Sequence, residues 1–327
     1  APARLEQSAV KAAQKGMRMM NGIDRRFFAL ADEIRGLTEK ELYYRMRAAF
    51  DKVPAATQRS CMAFFNQYPF WGKLDTDHGI YEEIERKEQA LFEHLEDFVW
   101  VYRRLADYRS KKTLYAILNN WYCYDFATTT ETNEYLFDDY FDLDLVRCTK
   151  DEVFVDLGAY VGDTVLSYIE NYGEDCYKRI YCYEITPAIF EILQGNLAGY
   201  RDIELRLRGI GEAAGHMALA SNDASPSANV LATNAGGEIA VTTLDADIDE
   251  PITLIKADVE GYEQKALLGA RNHILNDHPK LLISVYHNNE DLWRIPQIIH
   301  DISSDYTFYL RYKGSPIYPT EITLIAL

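Results

Sequence analysis

The sequence predicts an α/β protein in three parts. Residues 1–122 form an all-helical N-terminal module and residues 123–150 a linker. Residues 151–327 form a Rossmann-like domain with a seven-stranded, mostly parallel sheet and an antiparallel last strand. Three observations carry the prediction. From Glu152 onward, short apolar runs of strand length alternate with stretches of helical spacing. The first run ends in a glycine turn that leads into a helix, the entry unit of a doubly wound domain. The last two runs are joined by so short a linker that they must form an antiparallel hairpin.

Taken in order, the helical module begins to read clearly at Thr38. Thr38 and Glu41 have the S/T-x-x-E form of a capping box ahead of Leu42, Met46, Ala49 and Phe50. A longer helix is expected from about Tyr81, with Ile84, Leu91, Leu95, Phe98, Tyr102 and Leu105 on one stripe. Such a stripe serves either packing within the chain or a homo-oligomer through a helix pair between subunits. A third helical piece carries Leu114, Ile117, Leu118 and Trp121. The aromatic cluster Phe64, Phe65, Tyr68, Phe70 and Trp71 reads as core or as the lining of an acceptor site. The linker is acidic and aromatic, with Asp138 and Asp139 beside Tyr140 and Phe141.

In the second half, strands are expected at residues 153–157, 180–183, 203–208, 253–261 and 281–286, then around 306–312 and 321–327. Thr186 followed by Pro187 reads as an N-cap with proline at the first helical position. Residues 213–242 read as a hairpin insertion. Asn288 and Asn289 are placed to cap the helix that carries Leu292, Ile295 and Ile298.

The first glycine turn narrows the ligand. A dinucleotide site needs G-x-G-x-x-G so that backbone N–H groups can meet a pyrophosphate. Here Tyr160 stands two after Gly158, and the next glycine is Gly162. Asp156 and Asp163 flank the turn and would repel a pyrophosphate. S-adenosylmethionine carries a sulfonium and an ammonium and no phosphate, so it suits this turn better. Glu184 ends the second strand, where α/β nucleoside sites place an acid for ribose hydroxyls. Ala159, Tyr160, Thr164 and Ile185 belong to the same two turns and complete the expected cofactor-binding set. The rival readings are a nicotinamide-dependent oxidoreductase on a related fold and a non-catalytic binding protein.

Composition bounds the rest. With 327 residues and 48% apolar content, the chain can bury a core and hold two domains. Its net charge of −17 divides into +3 over residues 1–112 and −20 over residues 113–327. An acidic second half disfavours nucleic acid as partner. No apolar run reaches the roughly 18 residues of a membrane span, and residues 1–7 lack the apolar core of a secretory signal. The five cysteines are odd in number and lack C-x-x-C, which argues against a disulfide framework and a zinc site. A cytoplasmic setting is expected.

Four blocks together carry a resemblance. These are residues 155–163 (Val-Asp-Leu-Gly-Ala-Tyr-Val-Gly-Asp), Tyr183-Glu184 ahead of Thr186-Pro187, residues 241–245 (Val-Thr-Thr-Leu-Asp), and residues 255–263 (Ile-Lys-Ala-Asp-Val-Glu-Gly-Tyr-Glu). Over about residues 150–327 the chain resembles FkbM-type methyltransferases, which use S-adenosylmethionine and typically methylate hydroxyls of secondary metabolites and glycans. The resemblance implies that Asp156, Gly158, Gly162 and Asp163 surround the methionine end of the cofactor, with Glu184 on its ribose. It implies a small-molecule or glycan hydroxyl as acceptor. Two positions depart from the family pattern: Tyr160 stands where asparagine is frequent, and His287 follows the fifth strand where a carboxylate is frequent.

On the acceptor side Lys256, Asp258 and Glu260 alternate and would share one face of a regular strand. His287 ends the neighbouring strand, and its ordinary pKa near 6.5 suits a general base. Asp258, His287, Lys256 and Glu260 are therefore the candidate catalytic residues. A divalent metal on Asp258, Glu260 and His287 is chemically admissible, but the spacing does not require it, and no metal is expected.

Overall fold

The computed structural model describes residues 20–68, 71–135, 137, 140–220, 230–232 and 239–327. Phe70, Asp138, Asp139 and most of the centre of the insertion lie outside the described residues.

The first described helix, Gly22–Arg35, opens on a capping box between Asn21 and Asp24. Glu39–Phe50 opens on the expected one, in which Thr38 Oγ1 accepts from Glu41 N at 3.3 Å and Glu41 accepts from Thr38 N at 2.9 Å. Ala55–Gln67 follows. The region is not helical throughout: β1 (Leu74–Asp75) and β2 (Ile80–Tyr81) form a short antiparallel ladder. The long helix divides at His94 into Glu82–Glu93 and Leu95–Arg104. Its apolar stripe is spent inside the chain. Ile84, Leu91, Leu95, Phe98, Tyr102 and Leu105 are all buried, and Phe98 meets Trp293 edge-on with ring centroids 5.0 Å apart. That stripe is not available to a second subunit. Tyr108–Cys123 starts on the Asp107 side chain, and Phe126–Thr132 lies within the linker.

The sheet strands are β3 (Val153–Leu157), β4 (Arg179–Glu184), β5 (Ile203–Leu207), β10 (Leu254–Ala257), β11 (Lys280–Ser284), β12 (Phe308–Tyr312) and β13 (Ile322–Ala326). Their spatial order is β12-β13-β11-β10-β3-β4-β5, and β13 runs antiparallel to both neighbours. Between β5 and β10, β6 (Gly209–Ile210), β7 (Gly215–Ala220), β8 (Val230–Ala232) and β9 (Ile239–Thr242) form a small second sheet. The alternation of β3 fixes the two layers. Val153, Val155 and Leu157 join the core shared with the N-terminal helices; Phe154 joins the opposite core with linker residues Phe137, Phe141 and Val146.

Two expected caps fail. Thr186 makes no side-chain cap, although Pro187 does open Pro187–Leu197. Asn288 donates its backbone N–H to Asp291 Oδ2 at 2.8 Å and does not cap; the helix Asp291–Ile302 has Glu290 at its N-cap position. Among the described residues, no helix is long and apolar enough to cross a membrane.

Candidate active site

The carboxyl ends of β3, β4 and β10 open into a cleft of about 380 Å³. Gly158, Tyr160, Asp163, Thr164, Glu184 and Ile185 line one side, while Lys256, Asp258 and Glu260 line the other. The turn after β3 is shaped by its glycine. Gly158 sits at φ +78, and a Cβ there would stand 1.8 Å from the Asp258 carbonyl oxygen, so no side chain fits. Gly158 N and Ala159 N both donate to Tyr183 O, at 3.1 and 2.9 Å, which ties the turn to β4. Gly162, at φ +88, precedes the helix Asp163–Tyr172.

Glu184 organises both turns. Its Oε2 accepts from Tyr160 N at 3.1 Å; its Oε1 accepts from Ile185 N at 2.8 Å and Thr186 N at 2.7 Å. Burial raises its pKa in spite of these three donors. The Thr186 hydroxyl is a fourth partner, so the carboxylate is held from the protein side where it lines the cleft.

Asp156 departs from expectation. It is fully buried, does not line the cleft, and pairs with Lys256 Nζ at 3.0 Å. The register explains this: Asp156 and Lys256 are direct partners on the adjacent parallel strands β3 and β10. Desolvation pushes Asp156 up to about 6. Burial disfavours the charge on Lys256 too, but Asp156 and Asp258 outweigh it and raise its pKa. Lys256 also donates to Gly158 O at 2.8 Å, so the pair props the turn from beneath. Ala159 and Gly162 likewise shape the turn without lining the cleft.

On the acceptor side β10 ends at Ala257, so regular alternation does not bring Asp258 and Glu260 together. Glu260 reaches the cleft from a left-handed backbone, φ 53. His287, 3% exposed, stands behind the wall with Nδ1 2.9 Å from Glu263 Oε1. Its Nε2 lies 3.4 Å from Asp258 Oδ1 and 3.5 Å from Glu260 Oε2. Tyr140 donates its O–H to Asp258 Oδ2.

The electrostatics follow from burial and crowding. Burial works against an imidazolium at His287, but Glu263, Asp258 and Glu260 raise its pKa well above the ordinary value. Burial likewise opposes the charge on Asp258, yet His287, Lys256 and Tyr140 hold its pKa below the carboxylate norm. Glu260 is pushed up to about 7 by burial, with Asp258 and Glu263 adding to the shift and His287 opposing it. This works against His287 as a resting general base, because a protonated imidazole has no lone pair to offer. Glu260 has the matched pKa.

Sequence reasoning missed Glu263, Tyr140, Tyr183, Arg208, Tyr262 and Tyr286; all but Glu263 line the cleft. Glu263 was legible, three residues after Glu260 in the same block. Tyr140 carries no local signal, because its partner is 118 positions away.

Residues 156–310 match a family model described as the methyltransferase FkbM domain. No curated protein matches the chain. Among solved structures, it is similar to a methyltransferase FkbM from Methylobacillus flagellatus KT at 26% identity and TM-score 0.63, covering 81% of this chain and 70% of that one. It also matches an rRNA methylase from Streptococcus thermophilus at 17% identity and TM-score 0.35, over 55% of this chain and 87% of that one. A third match is fibrillarin from Aeropyrum pernix, solved with S-adenosyl-L-methionine, at 14% identity and TM-score 0.37, over 62% and 74%. The strand order and the glycine turn agree with the match of residues 156–310 to the FkbM methyltransferase domain.

Proposed function

We propose that the protein transfers a methyl group from S-adenosylmethionine to a hydroxyl of a small molecule or glycan. The observation that carries this reading is the two-sided cleft: a glycine turn with a ribose-competent Glu184 on one side, and an acidic, partly buried wall on the other. The residues present fit the cofactor. Glu184 lines the cleft at the end of β4, where a ribose hydroxyl would meet its carboxylate, and the carboxylate of Asp163 lines the same side, where a cationic methionine end suits better than a phosphate. When bound, S-adenosylmethionine supplies an electrophilic methyl on a sulfonium.

What the chain contributes is alignment and a proton acceptor. Alignment of two bound reactants contributes on the order of 7–11 kcal/mol. An acceptor hydroxyl beside Glu260 would give its proton to that carboxylate, which would leave its oxygen free to take the methyl that the bound cofactor would supply. His287 serves as a fixed counter-charge for the wall. Its N-terminal neighbour Tyr286 lines the cleft, and Trp71 Nε1 donates to Tyr286 O at 2.7 Å, so the helical region buttresses the acceptor side.

Calorimetry should show binding of S-adenosylhomocysteine and none of NAD. Mass spectrometry of a panel of hydroxyl acceptors with S-adenosylmethionine should show a gain of one methyl. Binding of NAD in place of S-adenosylhomocysteine would falsify the reading.

A further inference from the structure

Resting on that reading, we propose that Asp258, Glu260 and His287 form a site for one divalent cation at the acceptor end of the cleft. The three ligand atoms lie within 4.8 Å of one another. Nε2 of His287 stands 3.4 and 3.5 Å from the two carboxylate oxygens. Those distances are too long for good hydrogen bonds. They are close to the separation of about 3.0–3.5 Å between atoms that share one small ion at about 2.0–2.2 Å.

The ligands are also held from behind. His287 is 97% buried (3% exposed), and its Nε2 makes no hydrogen bond among the described residues while it faces the gap. Asp258 Oδ1 is likewise buried without a hydrogen-bond partner, because Tyr140 engages only Oδ2. The other ring nitrogen of His287 lies 2.9 Å from Glu263 Oε1 without forming a hydrogen bond, so Nδ1 too is buried unpartnered among the described residues, and that oxygen accepts from Val259 N at 2.8 Å.

Charge supports the same occupant. Asp258, Glu260 and Glu263 bring three carboxyl groups against one imidazole, and a dication offsets that crowding. Two carboxylates and an imidazole suit Mn²⁺, Mg²⁺ or Zn²⁺. Three protein ligands leave positions open to the cleft for the acceptor hydroxyl. Bound there, the hydroxyl becomes more acidic and releases its proton to solvent, and Glu260 becomes a ligand and ceases to be the proton acceptor.

The test uses the full chain stripped with EDTA and titrated with Mn²⁺, read by electron paramagnetic resonance, with S-adenosylhomocysteine calorimetry on the same samples. One Mn²⁺ per chain is expected. Asp258→Asn and His287→Ala should each weaken it at least tenfold. S-adenosylhomocysteine affinity should stay within about twofold in each. Should His287→Ala fail to fold, Glu260→Gln takes its place. Cofactor binding with no Mn²⁺ retained, or Mn²⁺ retained equally by an Asp258→Asn/Glu260→Gln double variant, overturns the cation site and leaves the methyltransferase reading intact. Mn²⁺ bound at these residues without S-adenosylhomocysteine binding upholds the site and removes the cofactor reading.

Discussion

Arg311 and His287 are both buried cations ringed by carboxylates, and they are satisfied to very different degrees. Arg311, 1% exposed, engages each nitrogen: Nε with Asp142, Nη1 with Ser110 Oγ at 3.0 Å and Leu310 O at 2.8 Å, and Nη2 with Asp107 Oδ2 at 2.8 Å. Those partners come from the N-terminal helices, the linker and β12, so one guanidinium ties three regions together. Around His287 the Nε2 contacts are longer, the carboxylates outnumber the cation, and Asp258 Oδ1, Glu263 Oε2 and His287 Nδ1 are left buried without hydrogen bonds. A closed cluster holds the fold. An open one beside a cleft, with perturbed pKa values, is where chemistry is expected.

The contrast predicts opposite responses to mutation. Arg311→Ala should give the largest loss of stability, roughly 3–5 kcal/mol by denaturant unfolding, because it leaves buried carboxylates uncompensated. A loss below about 1 kcal/mol would mean that the cluster is no more structural than a surface pair.

Glu260→Gln should leave stability nearly unchanged and act on turnover. With EDTA present, loss of the base should lower methyl transfer by roughly 10²–10⁴-fold. The sign of the pH dependence follows from the raised pKa. Below about 7 Glu260 carries a proton and cannot accept another, so wild-type kcat/KM should rise tenfold per pH unit up to about 7 and then level off. Glu260→Gln should lack that limb. An unaltered limb in the variant would move the base elsewhere.

On the cofactor side the expected effect is smaller. Glu184→Ala should weaken S-adenosylhomocysteine by about 1–3 kcal/mol, the cost of losing hydrogen bonds to a charged acceptor. Part of that loss reflects the three backbone donors that Glu184 now holds. Glu184→Gln, which keeps one acceptor oxygen, should recover some of it.

The smallest effect is expected for His287→Gln on stability, about 1 kcal/mol near pH 6. Glu260 already takes up a proton near neutrality, so the wall can shed charge when its cation is removed. A loss as large as that of Arg311→Ala would erase the distinction between the two clusters.

The sequence by itself determined the strands, their alternating faces, the glycine turn and the acids at the strand ends. Each is written in consecutive residues: the period of two in β3, Gly158 in a turn that tolerates no Cβ, Thr38 three positions before Glu41. From those signals followed the seven-stranded sheet. Only the tertiary structure decided what the acids do. Asp156 and Glu184 read alike as acids ending adjacent strands, yet one is sealed under the turn with Lys256 while the other faces the cleft. His287 reads as a base whose pKa Asp258 raises, until Glu263 and Glu260 are found around it as well and hold it charged. The apolar stripe from Ile84 to Leu105 reads equally as a subunit contact or as core, until Trp293 is found against Phe98. The physical reason is common to all three. Periodicity and backbone freedom belong to neighbours along the chain, whereas desolvation, charge and burial are set by whatever residues folding brings within a few ångströms.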